Sequence, residues 1–246
     1  MTARILIVDD ELSIRTLLQR YLQQQGYTVE VAVNGQAGLE RFRAFRPNLV
    51  ILDLNLPDIN GYQLCPVMQQ ETGVYVLMLT SRVDTADRLQ GFHQGADDYL
   101  TKPFSLPEVG ARVAAILKRQ RPIATPNEQA LRFSGLSIDP ERREVRRGEE
   151  LIPLTALEFD LLYAMAQQPG RAWRRGDLIG AVWEGSHEGD ERVVDVHIGQ
   201  IRKKLEYQVE RPEFIRTVRG VGYKFEPPAP KGESPSAIAS VPASRG

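Results

Sequence analysis

The chain is poor in cysteine and histidine, has no long hydrophobic run and carries almost no net charge. A single cysteine, Cys65, among 246 residues excludes a disulfide framework within the chain and suits a reducing, cytoplasmic compartment. It follows the helical start Gly61-Tyr62-Gln63-Leu64 and reads as a small buried hydrophobe. The three histidines, His93, His187 and His197, stand at no metal-ligand spacing. No apolar stretch approaches the ~20 residues that span a bilayer. A strand pattern begins by Arg4, which leaves no room for a signal peptide, so no membrane partner is expected. Walker A, nucleophile-elbow and zinc signatures are missing, and no internal repeat occurs. The 31 Lys and Arg against 32 Asp and Glu give a net charge of −1, so overall charge argues neither for nor against a nucleic-acid partner.

What is present is the composition of an ordinary globular protein, 42% hydrophobic and 26% charged, at a length that suits two domains. Up to about Arg121, short Ile/Val/Leu-rich runs at 4–8, 28–33, 48–53, 74–79 and 97–101 alternate with segments of helical spacing. The clearest of these carries Ile14, Leu17, Leu18, Tyr21 and Leu22 at i, i+3, i+4, i+7 and i+8. Gly26 closes it and Asn34-Gly35 opens the next. Five βα units in series predict an α/β, flavodoxin-like doubly wound domain over 1–121. A proline-containing linker without apolar periodicity is expected at 122–129. From Leu131 the texture changes to short alternating strands, then helices near 155–167, 174–183 and 190–205, then a hairpin around Gly220-Val221-Gly222. This is an α+β domain over 130–226. Five prolines and four serines in the last twenty residues mark 227–246 as a disordered tail.

In a doubly wound sheet, residues just past the carboxyl ends of the strands line one crevice. Asp9 and Asp10 follow the first run, Asp53 ends the third, Thr80 the fourth and Lys102 the fifth. Three carboxylates, a hydroxyl and an ammonium are thus expected in one pocket. Carboxylates buried together repel unless a cation neutralises them, and oxygen-only donors select a hard ion such as Mg²⁺, or Mn²⁺ in its place. With Lys102 opposite and Thr80 as a neutral donor, Asp53 is placed to act as a nucleophile toward an activated phosphoryl group. The proline after Lys102 restricts the backbone there and makes a cis peptide accessible. A haloacid-type phosphatase shares the nucleophilic aspartate but wants a second acid two residues on, where this chain has Asn55.

In the second domain total charge nearly cancels, but Arg192, Arg202, Lys203 and Lys204 cluster on one helix, and Arg216, Arg219 and Lys224 on the hairpin. Clustered charge is the footprint of DNA binding. Val194, Ile198, Ile201 and Leu205 share one side of that helix. Arg192, Val196, Gly199, Gln200 and Lys203 point roughly opposite, a face suited to a major groove. Gln200 can read adenine, Val196 can touch a thymine methyl, and Arg192 and Lys203 can hold phosphate. His197 flanks the buried stripe and reads as a packing or phosphate-contacting residue.

The stretches ILIVDDE, LVILDLNLPDINGYQL, VLMLTS and GADDYLTKPF resemble the receiver domain of bacterial two-component response regulators. LTALEFDLLYAMAQQPGRAWRRGDLIGAVW, RVVDVHIGQIRKKLE and IRTVRGVGYKF are similar to the winged-helix effector domain of the OmpR/PhoB subfamily. That resemblance implies Asp53 as phosphoacceptor and Asp9, Asp10, Asp53 and the Asn55 carbonyl as Mg²⁺ ligands, with Thr80 and Lys102 on the phosphoryl group and Tyr99 as an aromatic switch coupled to Thr80. It implies helix 190–205 as the recognition helix, and Thr217 and Arg219 in a wing that reaches the minor groove. It also implies a receiver dimer pairing Arg88 with Glu108 and Asp97 or Asp98 with Arg112 or Arg119. The implied partners are a sensor histidine kinase, promoter DNA, RNA polymerase (facing Trp183 and the loop after it) and a second copy of the chain. The protein is then a phosphorylation-switched regulator and not an enzyme in its own right; a receiver serving only as a phosphorylation-independent dimerisation module stays open. Gly199 and Gln200 stand where relatives often carry arginine, and Ala86 and Ala114 where they often carry a charged pair, so base reading and dimerisation are expected to differ in detail.

Overall fold

The computed structural model of the chain describes residues 2–81, 96–119, 130–183 and 191–228. Five strands, β1 (Arg4–Val8), β2 (Thr28–Ala32), β3 (Leu49–Asp53), β4 (Tyr75–Thr80) and β5 (Asp98–Thr101), form a parallel sheet in the order β2-β1-β3-β4-β5. Helices α1 (Leu12–Gln24), α2 (Gly35–Phe45), α3 (Gly61–Thr72) and α4 (Leu106–Arg119) connect or follow them. The interiors of β1, β3 and β4 are apolar because both faces of the sheet are covered there. Ile5, Ile7, Ile51, Leu77 and Leu79 meet Leu18, Leu22, Val109, Val113 and Ile116 of α1 and α4. Leu6, Val8, Val50, Leu52 and Met78 join Phe42 of α2 and Leu64 and Met68 of α3. Each such side chain stabilises the fold by about 1.5–3 kcal/mol when fully buried. The α1 stripe is narrower than its spacing suggests: Leu17 stays 49% exposed, while Arg15 is buried in its place.

Local chemistry sets the turns. Asn34 caps α2 by accepting from the Ala37 amide, and Asn60 caps α3 through the Tyr62 amide. Gly26 (φ 88°) and Gly73 (φ 64°) end α1 and α3 in the left-handed region. Gly61 is required by space: a Cβ there would stand 2.5 Å from the Asp53 carbonyl oxygen and 3.0 Å from Leu54 Cα. Helix α3 can therefore start directly against the end of β3. Cys65 is fully buried, and burial pushes its thiol well above the ordinary range.

The second half opens with an antiparallel sheet of β6 (Leu131–Phe133), β7 (Leu136–Asp139), β8 (Glu144–Arg147) and β9 (Glu150–Ile152). Helices α5 (Ala156–Ala166), α6 (Arg175–Trp183) and α7 (Arg192–Leu205) follow, with a three-stranded sheet of β10 (Ala172–Arg174), β12 (Gly222–Phe225) and β11 (Ile215–Val218). Strand β10 is a short addition that sequence periodicity does not reveal. It pairs with β12, and Trp173 stands opposite Tyr223. A capping box starts α5: Thr155 Oγ1 accepts from the Glu158 amide at 3.3 Å, and Glu158 accepts from the Thr155 amide at 2.8 Å. The expected linker at 122–129, the helix expected between β4 and β5 and residues 229–246 of the expected tail lie outside the described residues, as does Arg88.

Gly61→Ala is expected to destabilise the chain by about 1–3 kcal/mol, the cost of overpacking a tight contact, because the obstructing atoms belong to the backbone. A lowered urea-unfolding midpoint with an unchanged slope would register it.

Candidate functional site

Strand order creates the site. β1 lies between β2 and β3, so the connections leave in opposite directions and open a crevice at the carboxyl ends. Carboxylate oxygens of Asp9, Asp10 and Asp53 there lie within 4.8 Å of one another. Asp9 and Asp53 are buried, while Asp10 is exposed. Lys102 reaches between them, its Nζ donating to Asp9 Oδ2 at 2.9 Å, Asp53 Oδ2 at 2.8 Å and Glu11 Oε1 at 3.1 Å. Burial alone would lower the Lys102 pKa, but hydrogen bonds to Asp53 and Asp9 outweigh it and push it up. Burial raises the Asp9 carboxyl; the bond from Lys102 opposes that rise and the Asp53 charge adds to it.

The remaining pocket residues sit where the strand ends put them. The Lys102 amide donates to the Thr80 carbonyl at 2.7 Å, locking the start of the β5–α4 loop to β4, and the Lys102-Pro103 peptide is cis. Thr80 is buried. The Asn55 amide donates to Asp53 Oδ1 at 3.3 Å, and its side chain to Ser81 Oγ at 3.4 Å. Tyr99 is buried within the sheet, and burial pushes its phenol well up. Three carboxylates facing one ammonium leave an excess of negative charge, with oxygen donors only, and such a set fits a hard divalent cation.

Three supports of this pocket were not foreseen from the sequence. Arg15 Nη1 donates to the Asp9 carbonyl at 2.5 Å, its signal being an arginine set between apolar positions of α1. Glu11 adds a third carboxylate to Lys102. Asp58 accepts from the amides of Gly35 and Gln36 at 2.8 and 2.9 Å, and from that of Ile59 at 2.9 Å. These bonds, the Gln36 amide foremost, hold its carboxyl below the usual range and tie the loop after Asp53 to the start of α2.

On the other candidate surfaces, Arg192, Lys203, Thr217 and Arg219 are exposed and Gln200 is half-buried. Val196, expected on the outward face, is buried at 8% exposure, and His197, expected to flank the buried stripe as a packing or phosphate-contacting residue, is buried at 1%. The reason is that α7 packs on two sides: Val193, Val196 and His197 turn inward along with the predicted stripe, and His197 lies 6.1 Å from the Trp183 ring. Arg202 holds the wing, donating to the Ile215 carbonyl at 2.8 Å and Thr217 Oγ1 at 2.9 Å. Glu206, just past α7, accepts from the amides of Glu213, Phe214 and Ile215 and fixes the hairpin to that helix. Among the described residues, Asp97, Asp98, Glu108 and Arg112, expected to pair between two copies, are engaged within one chain. Asp98 pairs with Arg112 at 3.0 Å, and Arg112 with Glu108 at 3.2 Å. Asp97 is fully buried and accepts from the Val76 amide at 2.6 Å and from Gln69 at 3.1 Å. This corrects its expected surface position; a carboxylate that caps a strand start is not free for a partner. The Arg119 side chain lies outside the described residues. Trp183, expected toward RNA polymerase, is also fully buried.

Comparison with known proteins covers both halves. Residues 5–114 match the response regulator receiver domain, and residues 148–225 match the C-terminal domain of transcriptional regulatory proteins. The alkaline phosphatase synthesis transcriptional regulatory protein PhoP of Bacillus subtilis is 41% identical over 93% of this chain and 98% of its own. The DNA-binding response regulator MtrA of Mycobacterium tuberculosis is 42% identical over 93% and 99%. A solved RitR mutant superposes with a TM-score of 0.76 at 28% identity, covering 92% of this chain and all of its own.

Mg²⁺ at ten times its dissociation constant is expected to raise stability by ~1.4 kcal/mol through linkage. Asp10→Asn, which removes one of three clustered charges at an exposed position, should hold or slightly raise metal-free stability and lose that rise, as thermal melts with and without Mg²⁺ will read.

Proposed function

The chain belongs to the response regulators of the OmpR/PhoB type, transcription factors with a receiver domain and a winged-helix DNA-binding domain, and from that premise we propose that phosphoryl occupancy of Asp53 governs its binding to promoter DNA. The observation that carries this is the Lys102 ammonium held between Asp9 and Asp53 at 2.9 and 2.8 Å. A sensor histidine kinase is the proposed phosphoryl donor. A carboxylate oxygen of Asp53 forms the new bond to phosphorus as the phosphorus–nitrogen bond of the donor breaks and the imidazole leaves with the electron pair. Lys102, already on Asp53, follows the charge onto the phosphoryl oxygens, and Thr80 supplies a hydrogen bond from the adjacent strand end. Asp9, Asp10, Asp53 and the Asn55 carbonyl would hold Mg²⁺ or Mn²⁺, which supplies charge neutralisation for the incoming phosphoryl oxygens.

The domain limits proposed are 1–121 for the receiver, 122–129 for the linker, 130–226 for the winged helix and 227–246 for the tail. Helix α7 is the proposed major-groove reader, with Gln200 toward bases and Arg192 and Lys203 on phosphate. Thr217 and Arg219 form the wing contact. Val196 and His197 join this surface only if α7 gives up part of its packing. Dimerisation through Arg88, Asp98, Glu108, Arg112 and Arg119 requires the pairs inside one chain to exchange for pairs between two. Asp98 of the Asp98–Arg112 pair is buried, and a buried charge left without its partner is costly, so the exchange requires the second copy to supply the replacing charge as the first is withdrawn. Among the described residues no helix is long and apolar enough to cross a membrane, and cytoplasmic action is proposed with RNA polymerase as the downstream partner.

Acetyl phosphate with Mg²⁺ should add one labile phosphoryl group, read by intact-mass measurement, and strengthen DNA binding. Asp53→Asn should acquire neither. Equal DNA affinity of Asp53→Asn and the phosphodonor-treated wild type would overturn the switch and leave the receiver as a dimerisation module. Lys203→Ala should weaken binding to all sequences and reduce the slope of log affinity against log salt by ~1.

A further inference from the structure

The plane of the Asp53 carboxylate depends on a loop that is tied down some distance from the pocket. The last torsion of an aspartate is broad and two-fold, so that plane is set by what holds the two oxygens. Lys102 Nζ donates to Oδ2 at 2.8 Å, and the Asn55 amide donates to Oδ1 at 3.3 Å. Lys102 is fixed in turn by Asp9, Glu11 and the Thr80 carbonyl. The Asn55 amide belongs to a loop on which Asn55, Pro57, Asp58 and Asn60 are all exposed. Its position is therefore decided by where that loop is fastened.

One fastening is local: the Gly61 amide donates to the Leu54 carbonyl at 3.0 Å and closes the loop on itself. The other reaches a different element. Asp58 Oδ1 accepts from the Gly35 amide at 2.8 Å and Oδ2 from the Gln36 amide at 2.9 Å, the first two residues of α2. Oδ1 also accepts from the Ile59 amide at 2.9 Å. The amides at a helix start lack intrahelical acceptors, and their partial positive charge favours a carboxylate. Helix α2 already has its own cap in Asn34, which takes the Ala37 amide at 2.9 Å. Asp58 therefore adds to α2 a tie that comes from the pocket loop. Gly35 lets the two segments touch, since a Cβ there would stand 1.9 Å from Ile59 Cγ2 and 3.3 Å from Asp58 Oδ1.

We propose that Asp58 is a positioning residue for phosphoryl transfer, resting on Asp53 as the phosphoacceptor argued above. By fastening the loop to the start of α2 it keeps the Asn55 amide on Asp53 Oδ1, and keeps in place the Asn55 carbonyl, the fourth oxygen of the cation site. Asp58 acts through Asn55, because its own bonds go to α2 and to Ile59. With the tie cut, the Asn55 amide leaves Oδ1 and the Asp53 carboxylate turns about its last torsion. Alignment of the attacking oxygen and of the cation's oxygen donors is lost together.

The test uses the full chain, Mn²⁺ as the metal probe and acetyl phosphate as the phosphodonor. Metal binding is read from the loss of the electron paramagnetic resonance signal of free Mn²⁺, and phosphorylation from intact mass against time at saturating metal. Asp58→Ala removes both bonds to α2 and should weaken Mn²⁺ binding about tenfold, with a rate about tenfold slower even at saturating metal. Asp58→Asn keeps one acceptor oxygen and should fall between the alanine variant and the wild type. Gly35→Ala parts the two segments from the α2 side and should reproduce the losses of Asp58→Ala. Urea unfolding identifies which variants are folded. Folded variants with the wild-type Mn²⁺ affinity and the wild-type rate, even where less stable, would overturn the positioning role and leave Asp58 a fastener of the fold. A wild type that binds Mn²⁺ but takes no phosphoryl group would instead overturn Asp53 as phosphoacceptor, and weakened Mn²⁺ binding by Asp58→Ala would still uphold the loop's part in the cation site.

Discussion

Everything in the receiver is organised around one unfavourable fact: two carboxylates are buried within reach of each other. The effective cost of desolvating each ion is several kcal/mol, and a neighbouring like charge adds to it. Lys102 is the answer, and its contacts at 2.8 and 2.9 Å to Asp53 and Asp9 explain why its position is over-determined. Its amide is bonded to the Thr80 carbonyl, and its side chain is bounded by a third carboxylate, Glu11. Arg15 bonds the Asp9 carbonyl from the α1 side. Asp58 pins the loop after Asp53 to α2. A pocket held this tightly responds to a new charge on Asp53 by redistributing Lys102, because no other described cation contacts those two carboxylates.

The pocket was legible in the sequence because parallel strands impose a simple rule. Runs such as RILIV and LVILD are buried on both faces, so they stand out as continuous apolar segments, and the polar residue that ends each run is placed by topology. Asp9, Asp53, Thr80 and Lys102 follow from this without any knowledge of packing. Arg15, Glu11 and Asp58 do not, since each acts on backbone or on a neighbour whose orientation depends on the finished loops. Strand β10 is three residues long with the pattern exposed, buried, exposed, too short for alternation to be distinguished from chance.

In the second half, periodicity located α7 but misjudged its width. A helix lying on a surface buries one stripe; α7 is packed from two directions, and Val193, Val196 and His197 are enclosed with Ile198 and Ile201. The 3.6-residue period assigns angles around a helix, not how many neighbours it has. The same limit applies to charge. Arg202 belongs to a basic cluster by sequence, yet its guanidinium is committed to Ile215 and Thr217. Asp97 and Asp98 form an acidic pair by sequence, yet one holds the Val76 amide and the other Arg112. Charge patterning indicates a binding surface; only the fold separates residues that make the surface from residues that shape it.

That distinction bears on how a recognition helix is aimed. Glu206 takes three consecutive amides from the segment entering β11, and Arg202 one turn earlier takes the Ile215 carbonyl. Donors and acceptors at the end of α7 therefore fix the wing in both directions along the chain. A carboxylate receiving three backbone N–H groups is held by charge-assisted bonds, each about twice as strong as a neutral one, whereas Thr217 and Arg219 on the wing are exposed. The rigid elements are the connection and the helix, and the variable elements are the side chains they carry. Under the proposed DNA contacts, a substitution at Gln200 or Arg219 changes a side chain at the surface without altering the angle between helix and wing.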